Sequence, residues 1–339
     1  MNSFLIGYVP VTPVTNGDLE EEAWVHINLW GKKETGLLDK ATGLMKLKKC
    51  LPKKKTNKVI IDFGIMVKDI SKIKAIKIYS PYAIEKVEDV AALLKEHNKL
   101  ITAVFNENYQ HNVKEGNEDY IIQPHRGEPF VLSPIKEEDI NKETNLVTLD
   151  TEKIKSGSIN HSYFRIRLII IKKNCNGLFF ARKNNGSLFS DFFTSTEIID
   201  FRLNDKRSTG SNIYVGNLFH MRSINYYILR DPSELIIHHG DAMRNSRYLE
   251  TDIWKEYGLP DDLIAYHFYR KAERIEKRET ENSKSSYEYI NHFSILVRFQ
   301  CQKPRILKVI AIAIMTLVFG CISGVFANLF YTLFQGILK

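Results

Sequence analysis

Few residues of this chain have types and spacing that could support chemistry. His238 and His239 precede Gly240 and Asp241, and imidazole and carboxylate groups are ligands that metal ions accept. Adjacent side chains of a strand point to opposite faces, so two neighbouring histidines rarely bind one ion. We therefore interpret the cluster as a strand end followed by a turn and predict no metal site.

Two other sets of polar residues are weaker candidates for a chemical site. Residues 124–128 combine an imidazole, a guanidinium and a carboxylate in a predicted loop, and such triplets are common in turns. Cys175 lies close to Lys172 and Lys173, whose charges favour a thiolate, but no partner His or Asp can be identified. Gly-x-Gly-x-x-Gly, Walker-type and Gly-x-Ser-x-Gly patterns are absent. The sequence names no catalytic residue and no cofactor, which weakens an enzyme interpretation without excluding it.

A lysine-rich segment is the most unusual part of the soluble body. Residues 31–58 contain ten lysines against Glu34 and Asp39, interleaved with leucines. Lysines beside a membrane gain about 1 kcal/mol each from anionic headgroups, whereas the alternative is a solvated loop between strands. The segment has no aromatic residue for base stacking, which argues against a nucleic-acid partner. The predicted lipid-contact residues are Lys46, Lys48, Lys49, Lys53, Lys54 and Lys55.

The C-terminal segment predicts a membrane span. Residues 309–338 contain no charged side chain. About 20 apolar residues at a rise of about 1.5 Å each cross a hydrocarbon core of about 30 Å, so we predict a transmembrane helix over residues 306–335. Lys303, Arg305 and Lys308 form a basic flank before it, and such flanks stay cytosolic. We expect a single-pass, tail-anchored protein with its N-terminal body in the cytosol.

Small residues share one face of this predicted helix. Their Gly-x-x-x-Gly spacing lets two helix backbones approach closely, although glycine is also frequent in membrane helices generally. The predicted helix–helix association surface, which would support a homo-oligomer, consists of Ala313, Thr316, Gly320, Ser323, Gly324 and Ala327.

Composition bounds the class of protein. Hydrophobic residues at 44% and aromatic residues at 11% are sufficient for real cores and argue against general disorder. Half of the net charge of +8 comes from four basic residues after position 301, so the body is nearly balanced and a whole-surface nucleic-acid binder is disfavoured. Four scattered cysteines do not form a disulfide framework and fit a reducing compartment.

Apolar patterning in the first part of the chain predicts an α+β domain. The predicted strands are residues 23–30, 59–67, 75–79 and 101–105, and the predicted helix is residues 84–97. A polar segment at 133–148 suggests a boundary between domains 1–135 and 146–300.

The second part predicts many short strands. One hairpin would turn at Asn185-Gly186, and one helix would be capped by Ser246 and end at Gly258. Residues 270–286 are charged and predict a long mobile hairpin loop between the final pair of strands. The predicted strands are residues 164–171, 178–181, 188–193, 197–203, 223–230, 234–238, 263–269 and 292–299.

These patterns indicate a β-rich α+β protein with two soluble domains, the second sandwich- or barrel-like, followed by one C-terminal transmembrane helix. Our leading hypothesis is a non-enzymatic, tail-anchored protein whose body binds an unknown cytosolic partner or ligand at the lipid bilayer. The first alternative is a membrane-disrupting effector of toxin or defence type, activated by clustering of the helix. The second is a membrane-bound enzyme with a site that no sequence motif marks.

Overall fold

The computed structural model describes most of the β-rich body and the C-terminal helix. The described residues are 2–12, 21–32, 58–105, 109–113, 120–125, 127–154, 159–171, 175, 177–182, 194–205, 213–240, 242–275, 286–302 and 306–337.

Ten strands form in the described part of the first 150 residues, where isoleucine, valine and aromatic residues suit a pleated surface. They are β1 Leu5–Pro10, β2 Glu22–Lys32, β3 Lys58–Val67, β4 Ile73–Tyr79, β5 Ile84–Asp89, β6 Tyr109–Val113, β7 Tyr120–Pro124, β8 Phe130–Leu132, β9 Ile140–Lys142 and β10 Leu146–Asp150.

Eleven further strands follow in the described residues. They are β11 Ser162–Ile171, β12 Phe179–Arg182, β13 Thr194–Leu203, β14 Asn217–Leu218, β15 His220–Arg230, β16 Glu234–His238, β17 Met243–Tyr248, β18 Ile264–Lys271, β19 Glu273–Ile275, β20 Ser286–Glu288 and β21 Phe293–Gln302.

Four α-helices complete the described structure: α1 Ala91–Glu96, α2 Asn98–Phe105, α3 Thr251–Trp254 and α4 Ile306–Ile337. Within α4, the apolar stretch Ile310–Gln335 is 26 residues long, and none of it is buried inside the protein. Of the described helices, this is the one long and apolar enough to cross a membrane. The predicted helix at the C-terminus is therefore present.

A large sheet organises the body. Its strand order is β17-β18-β15-β2-β3-β11-β8-β7-β6, and β5 also pairs with β11. The central strands β2, β3 and β11 are buried on both faces, because one face packs on the main apolar core and the other lies under α1, α2 and α3.

Two smaller sheets supply the other side of the main core. A five-stranded sheet runs β14-β1-β4-β10-β9, and a four-stranded sheet runs β12-β13-β21-β16. The four-stranded sheet packs directly on the large sheet, since Phe201 stacks on Tyr226 with ring centroids 4.5 Å apart and Phe299 meets Tyr266 edge-on. The structure is thus β-rich with several sheets, and its described strands form no closed barrel.

The predicted segments 1–135 and 146–300 share one sheet. Strands β2 and β3 from the first segment lie between β15 and β11 from the second. The main core likewise extends in sequence from Phe4 to Cys301. The predicted domain boundary is therefore not a boundary between sheets, and a separate sandwich or barrel within 146–300 is not confirmed.

Most predicted strands are confirmed, but two elements around residue 90 were predicted wrongly. Residues 84–89 form β5 on the edge of β11, so the helix begins only at α1, where the Asp89 carboxylate accepts hydrogen bonds from the N–H groups of Ala91 and Ala92. Residues 101–105 belong to α2 instead of a strand. A short apolar run fits either element, and here Leu100, Ile101 and Val104 are buried together.

The predicted helix at Ser246 is also largely wrong. Ser246 lies in β17, paired with β18, and α3 covers only four residues. The predicted end is present, because Gly258 adopts a φ of 82°, which favours glycine.

The final strands do not pair with each other. β18 lies in the large sheet and β21 in the four-stranded sheet, while the short strands β19 and β20 pair between them. Residues 276–285, the turn predicted at Asn185-Gly186 and the strand predicted at 188–193 lie outside the described residues. β12 pairs with β13, which follows that segment.

Gly64 in β3 provides a stability test. A Cβ at this position would collide with the Tyr163 hydroxyl and lie 2.8 Å from its Cζ. We expect Gly64→Ala to destabilise the protein by about 1–3 kcal/mol through overpacking, measured by thermal or urea unfolding of the full chain in detergent. Gly240→Ala is the matched control, because its added Cβ meets nothing within 4 Å. Equal unfolding curves for the two variants would contradict this account of the packing.

Candidate functional site

A row of polar side chains crosses the helix-covered face of the large sheet. Strand pairing aligns seven residues on seven neighbouring strands, and alternation places them on one face. From β17 to β5 they are Asn245, His267, Tyr227, Asn28, Asp62, Arg167 and Glu88.

The centre of this row is a buried ion pair. Arg167 Nε donates to Asp62 Oδ1 at 2.9 Å and Nη2 donates to Oδ2 at 3.2 Å. Arg167 also donates to the Tyr257 carbonyl at 3.1 Å, and the Tyr257 hydroxyl donates to Asp62. Tyr257 follows α3, so these bonds attach the helical layer to the sheet.

Arg165 is a second buried cation on the same face. It is 1% exposed and donates to the hydroxyls of Tyr163, at 2.7 Å, and Tyr257. With its amide turned so that the oxygen faces Arg165, Asn28 accepts a further bond at 2.7 Å. Burial opposes the charge, but the oxygens of Tyr163, Tyr257 and Asp62 outweigh it and raise the pKa of Arg165. Two guanidinium groups thus share one fully buried carboxylate.

His26 lies beside Arg165 and is held neutral. Burial, followed by the charges of Arg165 and His267, lowers its pKa to about 3. Its ring contacts Phe105 and Tyr163, with centroids 5.5 and 5.9 Å away. A half-buried imidazole that does not take up a proton near neutral pH is a poor general acid or base. Within the polar row, the bonds of Arg167 and Asp62 to Tyr257 hold the helical layer against the sheet.

A charged cleft opens where β2 begins and β3 ends. It has a volume of about 520 Å³ and, unlike the polar row, it is open to solvent. We use the name charged cleft for the space lined by Glu21, Glu22, Lys68, Asp69, Lys72, Glu128, Pro129, Ile159, Asn160 and His161.

Ion pairs hold the carboxylates of the charged cleft in place. Glu21, which is almost fully buried, accepts from Lys72 Nζ at 2.9 Å, and this hydrogen bond raises the Lys72 pKa. Glu22 accepts from the Tyr289 hydroxyl at 2.7 Å and lies 3.3 Å from Arg222. Burial and the bond to Glu22 raise the Tyr289 pKa to about 12. Both carboxylates therefore have fixed positions.

The opposite wall of the charged cleft carries Glu128 and His161, whose side chains lie 3.3 Å apart. The lining contains four carboxylates against two lysines and no serine, threonine or cysteine. Such a surface suits ionic binding of a positively charged group, and its lining offers no hydroxyl or thiol nucleophile.

The described residues contain one group that could hold a metal ion. Ligand atoms of Glu197, Glu234 and Cys301 lie within 4.8 Å of one another. Arg230 already occupies this position: it donates to Glu234 at 3.0 Å and to Glu197 at 2.5 Å. The two carboxylates therefore neutralise a buried guanidinium.

Among the residues that the sequence suggested, those that the structure describes are not brought together. His238 and His239 are exposed at the end of β16, and Asp241 lies outside the described residues. His125 is exposed but does not line the charged cleft, whereas Glu128 does. Cys175 is 1% exposed, so its thiol is not available as a surface nucleophile.

The predicted membrane residues are only partly described. The lipid-contact lysines, Lys303 and Arg305 lie outside the described residues, and Lys308 lies in the first turn of α4. The predicted association surface is accessible along α4, and an added Cβ at Gly320 or Gly324 would meet nothing within 4 Å.

Comparison with known proteins adds no relative: the sequence matches no protein-family model and no curated protein.

Sequence reasoning missed the polar row, although a signal was present. Asp62 interrupts the apolar run of β3, and Arg165 and Arg167 alternate with apolar residues in β11. Charges inside strands that are otherwise apolar indicate either an exposed face or a buried ionic network. Only the presence of helices over this face shows that these charges form a buried network and not an exposed face.

Removing the Asp62 carboxylate should strongly destabilise the protein. We expect Asp62→Asn to destabilise the protein by about 3–5 kcal/mol, because the buried Arg167 loses its paired carboxylate and Arg165 loses a nearby negative charge. Glu88→Gln is the control: Glu88 is 33% exposed and 4.0 Å from Arg167, and its loss should cost less than about 1 kcal/mol. Denaturant unfolding in detergent measures both. Similar losses of unfolding free energy in the two variants would show that the polar row does not depend on Asp62.

Acid should destabilise the fold through His26. Because its folded pKa of about 3 lies below its ordinary value of 6.5, only the unfolded chain takes up this proton, and stability is lost as pH falls between these values. The loss should reach about 3 kcal/mol at pH 4 relative to pH 7.

Asp89, whose pKa is raised by burial to about 6, acts in the opposite direction. Comparing the chain with His26→Gln isolates His26, since Asp89 is common to both. Parallel pH–stability curves would refute the assignment.

Proposed function

We propose that this chain is a membrane-attached, non-enzymatic binding protein whose charged cleft takes a positively charged group of a cytosolic partner or ligand. The observation that carries the proposal is the placement of the charged cleft at the end of the body opposite the point where β21 leads into α4.

Strand β15 spans the distance between these two ends. At its start, the His220 N–H donates to the Glu21 carbonyl at 2.9 Å, beside the charged cleft. At its end, Arg230 is bonded to Glu197 and Glu234. Both carboxylates lie close to the thiol of Cys301, which is the last residue but one of β21. Ten residue steps of about 3.3 Å separate the two ends by about 33 Å. The start of α4 therefore leaves the charged cleft uncovered.

The sequence beside α4 supports a cytosolic body. Lys303, Arg305 and Lys308 precede or begin the helix, and positive flanks remain on the cytosolic side. We expect protease added to sealed cells to leave the body intact and protease added after permeabilisation to digest it. Digestion in intact cells would reverse the proposed orientation.

Site-specific crosslinking tests the proposed binding function. A photo-crosslinking amino acid at Asn160, inside the charged cleft, should give a discrete adduct in native membranes, whereas the same group at Tyr214, which is 71% exposed elsewhere, should not. Glu128→Lys should abolish the Asn160 adduct by like-charge repulsion. Glu96→Lys, at the end of α1 and outside the charged cleft, is the matched charge control and should retain it. Identical adducts from Asn160 and Tyr214 would contradict specific binding in the charged cleft.

A membrane-disrupting effector is the second candidate, supported by the open space beside Gly320 and Gly324. Leucine at both positions should abolish self-association of α4 and any growth arrest or dye uptake that the full chain causes. Leucine at Val318 and Ile322, on the other side of α4, is the matched control. Toxicity that persists in the Gly320→Leu, Gly324→Leu variant would eliminate this candidate.

A further inference from the structure

The four-stranded sheet has one covered face and one exposed face. Its inner residues, including Phe201 and Phe299, are buried against the large sheet. Large apolar side chains on the other face are 44–51% exposed. We call this the outer sheet face, and its exposed large apolar residues are Phe180, Leu235, Ile237 and Leu296.

Strand pairing makes the outer sheet face continuous. Phe180 lies opposite Ile198, which lies opposite Arg298, in one row across β12, β13 and β21. Leu235 on β16 lies opposite Gln300, in the adjacent row of this face. Exposed apolar side chains thus occur on β12, β21 and β16, with Arg298 between them and His238 opposite Arg298.

The charge on the outer sheet face is positive. Arg298 is exposed and forms no ion pair with any residue that the structure describes. The acid on this face, Asp200, is held by Arg202 through two bonds of 3.0 Å. An anionic surface is therefore favoured and a cationic one is not.

Chain connectivity keeps this face close to a membrane. Gln302 ends β21 and Ile306 begins α4, so four steps of at most about 3.6 Å place them no more than about 14 Å apart. The apolar stretch of α4 starts one turn later, at Ile310. The headgroup region on each side of the hydrocarbon core is roughly 5–8 Å thick, which brings the end of β21 within reach of it.

We propose that the outer sheet face lies flat on the bilayer that α4 crosses, with its apolar side chains at the headgroup–acyl boundary and Arg298 on anionic headgroups. Several large apolar side chains exposed on one sheet face suit an interfacial contact, and the attached membrane is the surface that connectivity supplies. The inference rests on the proposed membrane attachment through α4, and it adds a second contact that orients the body.

Lipid quenching of tryptophan tests this arrangement in the full chain. The protein is reconstituted into phosphatidylcholine–phosphatidylglycerol vesicles in which part of the lipid is brominated near the headgroup. Leu235→Trp and Leu296→Trp report on the two ends of the outer sheet face, and Tyr248→Trp, exposed on β17 of the large sheet, is the control. Leu329→Trp reports insertion of α4, and the unsubstituted chain gives the background from Trp24, Trp30 and Trp254. We expect Leu235→Trp and Leu296→Trp to be quenched about twofold more than Tyr248→Trp.

The outcomes separate this inference from the proposed function. A second set of vesicles carries bromine deep in the acyl chains. If this lipid quenches Leu329→Trp, but Leu296→Trp is quenched no more than Tyr248→Trp by the headgroup-brominated lipid, the attachment stands and the flat arrangement is wrong. Quenching of Leu235→Trp alone would mean that β21 stands upright on the membrane, which also overturns the inference. Unquenched Leu329→Trp would overturn both.

A charge reversal provides an independent readout. Arg298→Glu in the Leu296→Trp background should reduce the excess quenching about twofold in anionic vesicles, because it places a carboxylate against the headgroups. Arg244→Glu, exposed on β17, should have no effect. Unchanged quenching with Arg298→Glu would overturn the assignment of Arg298 to the lipid surface.

Discussion

Two arginines of β11 are buried on one face of the large sheet, where Arg167 bonds the buried Asp62 carboxylate and the Tyr257 hydroxyl links Arg165 to it, and the rest of the body is arranged around this constraint. Removing Arg167 and Asp62 from water is costly unless each finds its partners in good geometry. Strands β3 and β11 must therefore pair in a single register, and Tyr257 must lie over them. The ion pair consequently fixes both the centre of the sheet and the position of the helices above it.

The same network gives the large sheet two different faces. One face is apolar and could pack against many surfaces, whereas the other carries a charged row that accepts only a layer with matching oxygen atoms. A one-residue slip of β3 or β11 would move Asp62 or Arg167 into the apolar core. A buried ionic network of this kind contributes specificity even where apolar residues would give equal stability.

The sequence predicted most of the strands and the apolar C-terminal helix, because strand runs and membrane-length runs have distinct patterns. It failed around residues 84–105, where short apolar runs fit a strand or a helix and only pairing with β11 decided between them. The assignment of strands to sheets was also beyond local patterns, since β2 pairs with β15 nearly 200 residues later. The charged cleft could not be predicted, because Glu22, Glu128 and His161 come from three distant parts of the chain. The buried row was detectable as charges within apolar strands, but its meaning depended on the helices.

Pairing across long stretches of sequence has a consequence for how the protein is made. The Ile6 N–H bonds to Asn204, 198 residues away, and Glu22 bonds to Tyr289, 267 residues away. During synthesis, β2 and β3 therefore wait, with one edge unpaired, until β15 has been translated. Contacts this distant form slowly and leave strand edges open to wrong partners until the later strands have emerged. The lining of the charged cleft is translated by residue 161, but Glu22 gains its bond to Tyr289 only when nearly the whole body has emerged.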